Sequence, residues 1–251
     1  MSVPVRARAA VALAGSAVLG VVAFCWPLFV TPGAGGVRSP WLFALLLPLV
    51  LAVALAEISS GGMDAKAVAV LGVLSALGAA IRPLGAGTAG IETVFFLLVL
   101  GGRVFGPGFG FVLGNTMLFA SALLTGGIGP WLPYQMLASS WVALGAGLLP
   151  PLRGRVELTV LAVYSALASL VYGLLLNLSF WPFALSAEST SLSYVPGAPL
   201  VDNLVRLAGF SVATSLGWDI GRAVTTVVLV LVTGPVLLRT LRRAARKAAF
   251  A

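Results

Sequence analysis

Apolar residues in this chain come in long runs rather than in alternation with polar ones. The runs fall at about 9–30, 40–58, 66–82, 91–104, 109–125, 134–150, 156–178 and 217–238. Most approach the ~20 residues that a helix needs to cross bilayer hydrocarbon. The pattern therefore predicts an all-α, polytopic membrane protein with about eight transmembrane helices. The 91–104 run is short for a full crossing, so a tilted helix or a partly buried segment is expected there. Gly106-Pro107-Gly108 separates it from the next run. Stretch 179–216 is less hydrophobic and holds Pro182, Pro196 and Pro199. It reads as an external loop with an amphipathic helix near 200–214. The first run follows Arg6 and Arg8, in the outline of a signal peptide. It exceeds the h-region length of about 7–15 residues and ends in Trp26-Pro27 without a clear cleavage site, so it reads as a retained helix.

Composition agrees with the pattern. The 251 residues are 60% hydrophobic and 9% charged, against about 25% charged in soluble domains. The net charge of +8 does not point to nucleic acid, because the basic residues stand at the ends of apolar runs. There they serve as topology signals and contacts for anionic lipid. With the N-terminus in the cytoplasm, the inner side holds Arg6, Arg8, Lys66, Arg103, Arg153, Arg155, Arg239, Arg242, Arg243, Arg246 and Lys247, and the outer side Arg38, Arg82, Arg206 and Arg222. Both termini are then cytoplasmic. The irregular loops at 83–90, 126–133 and 179–216 share the outer face, which argues for a site opening outward.

The chemistry available is narrow. A single cysteine, Cys25, allows no intrachain disulfide. The absence of histidine removes the commonest general base and metal ligand. No nucleophile with a base, paired carboxylates, metal cluster or ATP-binding signature is present, so an enzyme is not expected. Glu57, Asp64 and Glu157 make no convincing proton relay. Internal repeats of the kind that build inverted-repeat transporters are not evident. Uphill transport would need an ion gradient or partner subunits.

What remains is a set of polar residues near the outer ends of the runs. Irregular backbone at membrane depth has to pack on protein or line a cavity, which draws attention to Gly126-Gly127-Ile128-Gly129-Pro130-Trp131-Leu132-Pro133-Tyr134-Gln135-Met136. Trp131 and Tyr134 offer flat faces for stacking, and Gln135 offers a donor and an acceptor; a structural turn with belt aromatics is the other reading. Arg82 and Glu92 bracket a glycine-rich loop. They either pair with each other, or Arg82 meets a ligand. Asn115 needs a partner inside its span, from a neighbouring helix or from a ligand. Asn177, Trp181 and Tyr172 approach the outer end of the seventh span. Asp219 and Arg222 open the last one, spaced to pair with each other. Ala65 and Ala69, then Ala76 and Ala80, put small residues at a spacing that lets another helix approach closely.

Arg82-Pro83-Leu84, Gly101-Gly102-Arg103-Val104-Phe105-Gly106-Pro107, Gly110-Phe111-Val112-Leu113-Gly114-Asn115 and Gly129-Pro130-Trp131-Leu132-Pro133-Tyr134-Gln135-Met136 together carry a resemblance. Over about 64–245 the chain resembles the membrane-embedded, substrate-binding S component of energy-coupling factor (ECF) vitamin transporters, and most of all the cobalamin or corrinoid branch. The resemblance implies a six-helix core, 63–251, that captures a vitamin or cofactor precursor outside a bacterial cytoplasmic membrane. It implies a transmembrane coupling protein and two cytoplasmic ATPases as partners, and toppling of the S component to deliver its cargo. It assigns the partner interface to Ala65, Ala69, Ala76 and Ala80, and a lid to the loop at 83–90. The two helices within 1–62 are additional to that core. The set Arg82, Glu92, Asn115, Trp131, Tyr134, Gln135, Asn177, Trp181, Asp219 and Arg222 suits the amide arms and flat ring of a corrinoid. It also suits a flavin, pterin or pyrimidine. No bound cofactor is expected beyond the transported ligand. A stand-alone proton-coupled permease and a ligand-free membrane scaffold are the alternatives.

Overall fold

The computed structural model describes residues 7–29, 39–58, 63, 65–85, 88–184 and 191–247. Arg6, Arg38, Asp64 and loop residues 86–87, all used in the sequence reading, lie outside them. The described residues form α1 (Ala7–Cys25), α2 (Ser39–Glu57), α3 (Ala65–Ile81), α4 (Phe95–Phe105), α5 (Pro107–Thr125), α6 (Leu132–Leu148), α7 (Gly154–Ala184), α8 (Leu200–Thr214) and α9 (Leu216–Lys247), with no strand among them. Short 3-10 turns follow α1 at Trp26–Phe29 and α3 at Arg82–Gly85.

Four stretches are long and apolar enough to cross a membrane: Ala65–Gly85, Pro107–Thr125, Gly154–Phe183 and Leu216–Arg246. Their outward faces are apolar. Val73 and Leu77 on α3, Val163 and Leu167 on α7, and Val228 and Val232 on α9 are all exposed. A surface this apolar suits lipid and not water. The chain is thus a membrane-embedded helical protein. The 91–104 run resolves as a short buried helix. At 11 residues α4 is about 16 Å long, half the hydrocarbon thickness. Phe95 through Gly102 are all buried in it, enclosed by α5, α6 and α9. The amphipathic stretch near 200–214 is α8, with Asn203, Leu207 and Phe210 turned inward.

Small residues set the spacing of the central helices. A Cβ on Gly102 of α4 would stand 1.9 Å from the carbonyl oxygen of Ala143 on α6, and one on Gly114 of α5 would stand 2.5 Å from Ser140. The backbones therefore touch, as small-residue membrane interfaces allow. Gly106, at φ 97°, both ends α4 and precedes Pro107 at the first turn of α5. A residue with a Cβ rarely holds that angle, and proline at this position loses no helical hydrogen bond.

The first two helices share this core. Phe24 is fully buried, edge-on to Tyr134 at 5.3 Å and tilted against Trp141 at 5.5 Å. Leu46 and Val50 of α2 join the same hydrophobic cluster. α1 lies along α7, and α2 along α5 and α6.

At one end of the bundle Glu157, 2% exposed, accepts hydrogen bonds from Arg103 Nε at 2.7 Å and Arg242 Nη2 at 2.6 Å. Arg103 also donates to the carbonyls of Leu149 at 2.8 Å and Leu152 at 3.3 Å. One carboxylate thereby binds the end of α4, the start of α7, the end of α9 and the turn after α6. Removing one member of a buried ion cluster leaves the others uncompensated, at about 3–5 kcal/mol. Glu157→Ala is expected to lose that much and to lower the melting temperature in detergent. Glu157→Leu combined with Arg103→Leu should recover part of the loss, since the remaining Arg242 is 37% exposed and can be solvated. Thermal unfolding of the single and double variants measures both.

Candidate functional site

At the opposite end, α3 closes in the turn that begins with Arg82. The guanidinium turns inward across the bundle. It donates to Ser121 Oγ of α5 at 3.4 Å and to Gln135 Oε1 of α6 at 3.3 Å. Both contacts are longer than the usual 2.7–3.2 Å, and both acceptors are neutral. Arg82 makes no ion pair with Glu92 or with any other carboxylate of the described residues, so the pairing considered from sequence does not form. Glu92 instead accepts from the backbone N–H of Val94 at 3.3 Å, within the connection leading into α4. Thr93 Oγ1 donates to the carbonyl of Ile81 at 2.8 Å, which returns the connection to the end of α3.

That connection sits directly on α9. A Cβ on Gly90, at φ 76°, would fall 2.1 Å from the Trp218 carbonyl oxygen, and one on Gly221 would fall 2.1 Å from that of Ala89. Backbone meets backbone there, and only glycine on each side permits it. Burial pushes the Glu92 carboxyl above the usual carboxylate range, and the nearby Arg82 and Arg222 offset this only in part.

Arg222 and Asp219 form the ion pair that their spacing predicted, at 2.6 Å. Arg222 also donates to the Ser169 carbonyl at 3.3 Å. It lies over the Tyr172 ring at 4.9 Å from the centroid and over Phe95 at 5.8 Å. These two rings meet edge to face at 4.8 Å. Gly173 makes room for the Asp219 carboxylate, which a Cβ there would strike at 2.0 Å. Asn177 of α7 donates to Ser211 Oγ at 3.0 Å and to Ser215 Oγ, and Ser215 donates to Asp219 at 3.3 Å. The Asp219–Arg222 pair is therefore braced from α7, α8 and α9 and screened by an aromatic face. A guanidinium over an aromatic ring gains further from the ring quadrupole.

Of the residues singled out by sequence, Arg82, Glu92, Gln135, Asp219 and Arg222 come together here, with Asn177 behind Asp219. The others lie elsewhere. Trp131 is 51% exposed and folds back on its own turn, with its indole N–H donating to the Gly127 carbonyl at 3.3 Å. Tyr134 faces Phe24 of α1, and its hydroxyl has no partner. Trp181 is fully buried. It donates to the Leu192 carbonyl at 2.7 Å and stacks edge-on against Tyr194, pinning the 191–195 segment to α7. Asn115, also fully buried, donates to Phe111 of its own helix at 3.0 Å and leaves Oδ1 unpartnered.

Three more polar residues adjoin this cluster: Tyr172, which the sequence placed near the outer end of its span, and Ser121 and Ser139, which it did not single out. Ser121 contacts Arg82 directly. Tyr172 lies within the field of Arg82, Glu92 and Arg222. Ser139, buried, faces the Tyr172 hydroxyl. The spacing held one signal, because Ser139 follows Gln135 by four residues, which puts both on one face of α6. Ser121 carried none, since serine is common among small residues in membrane helices.

On the outside of α3, Ala65, Ala69, Ala76 and Ala80 are all exposed, and Gly72 between them has open space at its Cβ. The described residues hold no group of metal ligands. In comparisons with known proteins, no family model, curated protein or solved structure matches this chain.

Proposed function

We propose that this chain is the substrate-binding S component of an ECF-type importer. In this reading it has eight membrane helices, of which α3 to α7 and α9 form the binding core. It captures a vitamin or cofactor precursor at the Arg82 end and releases it inward. A transmembrane coupling protein and two cytoplasmic ATPases are its partners. The observation that carries the reading is Arg82. Its cation is held inside one end of an apolar bundle by two long contacts to neutral acceptors. The guanidinium is part-buried and has no bonded anion, so it keeps N–H donors that a ligand would fill.

Two further features support the reading. The additional helices α1 and α2 pack on α5, α6 and α7 and leave the small-residue face of α3 open, as docking of a coupling protein would require. The opposite end of the bundle carries exposed Arg153, Arg155, Arg239, Arg243 and Arg246, which the positive-inside tendency assigns to the cytoplasm. The site then faces out. A corrinoid is the preferred cargo. Its carboxamide arms would suit Arg82 and Gln135. A ring of that size requires the 88–91 connection to leave α9.

Cells that express this chain with coupling and ATPase subunits should take up labelled cobalamin or cobinamide, and inactivation of the ATPases should abolish uptake. Uptake into proteoliposomes containing this chain alone, abolished by an uncoupler, would overturn the reading. Arg82→Ala and Gln135→Ala should each weaken binding roughly 10- to 100-fold in calorimetric titration, since a hydrogen bond to a charged group contributes about 1.5–3 kcal/mol. Trp131→Ala should change affinity less than about twofold, as expected for an exposed ring. Ala69→Leu and Ala76→Leu should leave ligand affinity intact and stability within about 0.5 kcal/mol, yet abolish ATP-dependent uptake by blocking helix approach.

A further inference from the structure

We infer that α8 is a membrane-interface helix. It lies along the lipid boundary at the Arg82 end of the bundle, with Val201, Val205 and Val212 against lipid chains and Asp202 and Arg206 toward headgroups and water. The sequence pattern reads 200–214 as part of an external loop, so this moves the helix from water into the bilayer surface.

A helix that caps a bundle in water packs one apolar face inward and turns a polar face outward. α8 has two apolar faces. Asn203, Leu207 and Phe210 are buried against the bundle. There Leu207 and Phe210 join Leu178, Trp181 and Tyr194, and Asn203 exchanges two hydrogen bonds with the Val195 backbone, at 3.2 and 2.9 Å. This face is fully occupied. At about 100° per residue, Val201, Val205, Ala208 and Val212 form a stripe on the opposite side. The three valines are 68%, 67% and 65% exposed. The charges avoid both faces. Asp202 and Arg206, four residues apart, share one edge between them. Leu200 and Leu204, both exposed, share the other edge. A helix lying in a bilayer surface needs this cross-section, with a polar edge toward the headgroups and an apolar edge toward the chains.

Length and surroundings point the same way. With 15 residues, α8 is about 22 Å long, too short to cross ~30 Å of hydrocarbon. It therefore lies along the bilayer and not through it. The helices that α8 packs on are α7 and α9, and both expose large apolar side chains level with it: Phe180 and Phe183 at the end of α7, Ile220 and Val224 at the start of α9. These belong to stretches long and apolar enough to cross a membrane. The lipid that covers them continues over the valine stripe. This seat also bears on the ion pair below it. Ser211 and Ser215, at the end of α8, accept hydrogen bonds from Asn177, and Ser215 donates to Asp219 at 3.3 Å. A helix positioned by lipid thus carries two of the hydroxyls that brace Asp219 and Arg222.

Collision accessibility of nitroxide labels on the full-length protein in nanodiscs tests the inference. Cys25→Ser supplies the background, and Val205→Cys, Val212→Cys and Asp202→Cys each place one label. Molecular oxygen concentrates in lipid, whereas nickel ethylenediaminediacetate stays in water. The ratio of oxygen to nickel-chelate collisions at 205 and 212 should exceed that at 202 at least about threefold, as for one helix with a lipid face and a wet edge. A second measurement needs no substitution. A phospholipid carrying a diazirine in its acyl chain, photolysed with the unaltered protein, should leave adducts on peptides from 200–214 as well as on α7 and α9. Equal or stronger collision with the nickel chelate at 205 and 212 would put α8 in water. Protection of both positions from both reagents would put protein on the stripe, from a second copy or from a partner. Either result overturns the inference, as does an α8 without lipid adducts while α9 is labelled.

Discussion

Charge compensation without water is the constraint on which this structure depends. A bilayer offers no solvent to a buried ion, so each charge has to be answered inside the protein or kept at an end of the bundle. The chain meets this with very few acids, seven against fifteen basic residues, and their placement organises both ends. Glu157 at one end holds Arg103 and Arg242. Asp219 at the other holds Arg222. The first cluster joins three helices and a turn into one body. The second joins neighbouring turns of α9 and is braced from α7 and α8. Arg82 and Glu92 stand apart because they are the charged pair at the ends of one connection that is left unjoined, although each lies in the other's field.

Close backbone approach is the second requirement, and it serves the first. Glycines at 102 and 114 bring α4, α5 and α6 into contact, so the short α4 can be enclosed and its Arg103 carried to Glu157. On the other side Gly173 admits the Asp219 carboxylate against α7. A larger residue there would force apart the helices that brace Arg222. Packing and electrostatics are thus one design: small residues set helix spacing, and the spacing sets which charges meet.

Much of this was legible in the sequence, for identifiable reasons. Long apolar runs reveal membrane helices because burial in lipid demands them over many consecutive positions. The Asp219–Arg222 pair was readable because it is local, three residues apart on one helix. The amphipathic α8 was readable from composition and prolines. Long-range partners were not. Arg103 and Arg242 looked like separate topology signals and Glu157 like a poor proton relay, since nothing local says that the ends of α4 and α9 meet the start of α7. Trp131 drew attention because aromatic residues beside prolines at a membrane edge are conspicuous, yet its ring lies on its own turn and reaches no other site residue. Ser121 and Ser139 passed unnoticed for the opposite reason. A serine in a small-residue helix looks like packing until its neighbours are known.

The contact between residues 89–90 and the start of α9 links access to the site with its electrostatics. Gly90 lies against the Trp218 backbone and Gly221 against the Ala89 carbonyl. The same connection carries Glu92, and the same first turns of α9 carry Asp219 and Arg222. Lifting this segment for a large ligand would move Glu92 away from Arg222 while leaving the Asp219–Arg222 pair intact, because that pair is braced from α7 and α8. The segment can therefore move without stranding the second guanidinium, and the only charge relation disturbed is the one that is already unbonded. An ion pair between Arg82 and Glu92 would tie the segment down and occupy both groups at once. Because the pair is open, the segment is held to α9 by backbone contact and not by an ion pair.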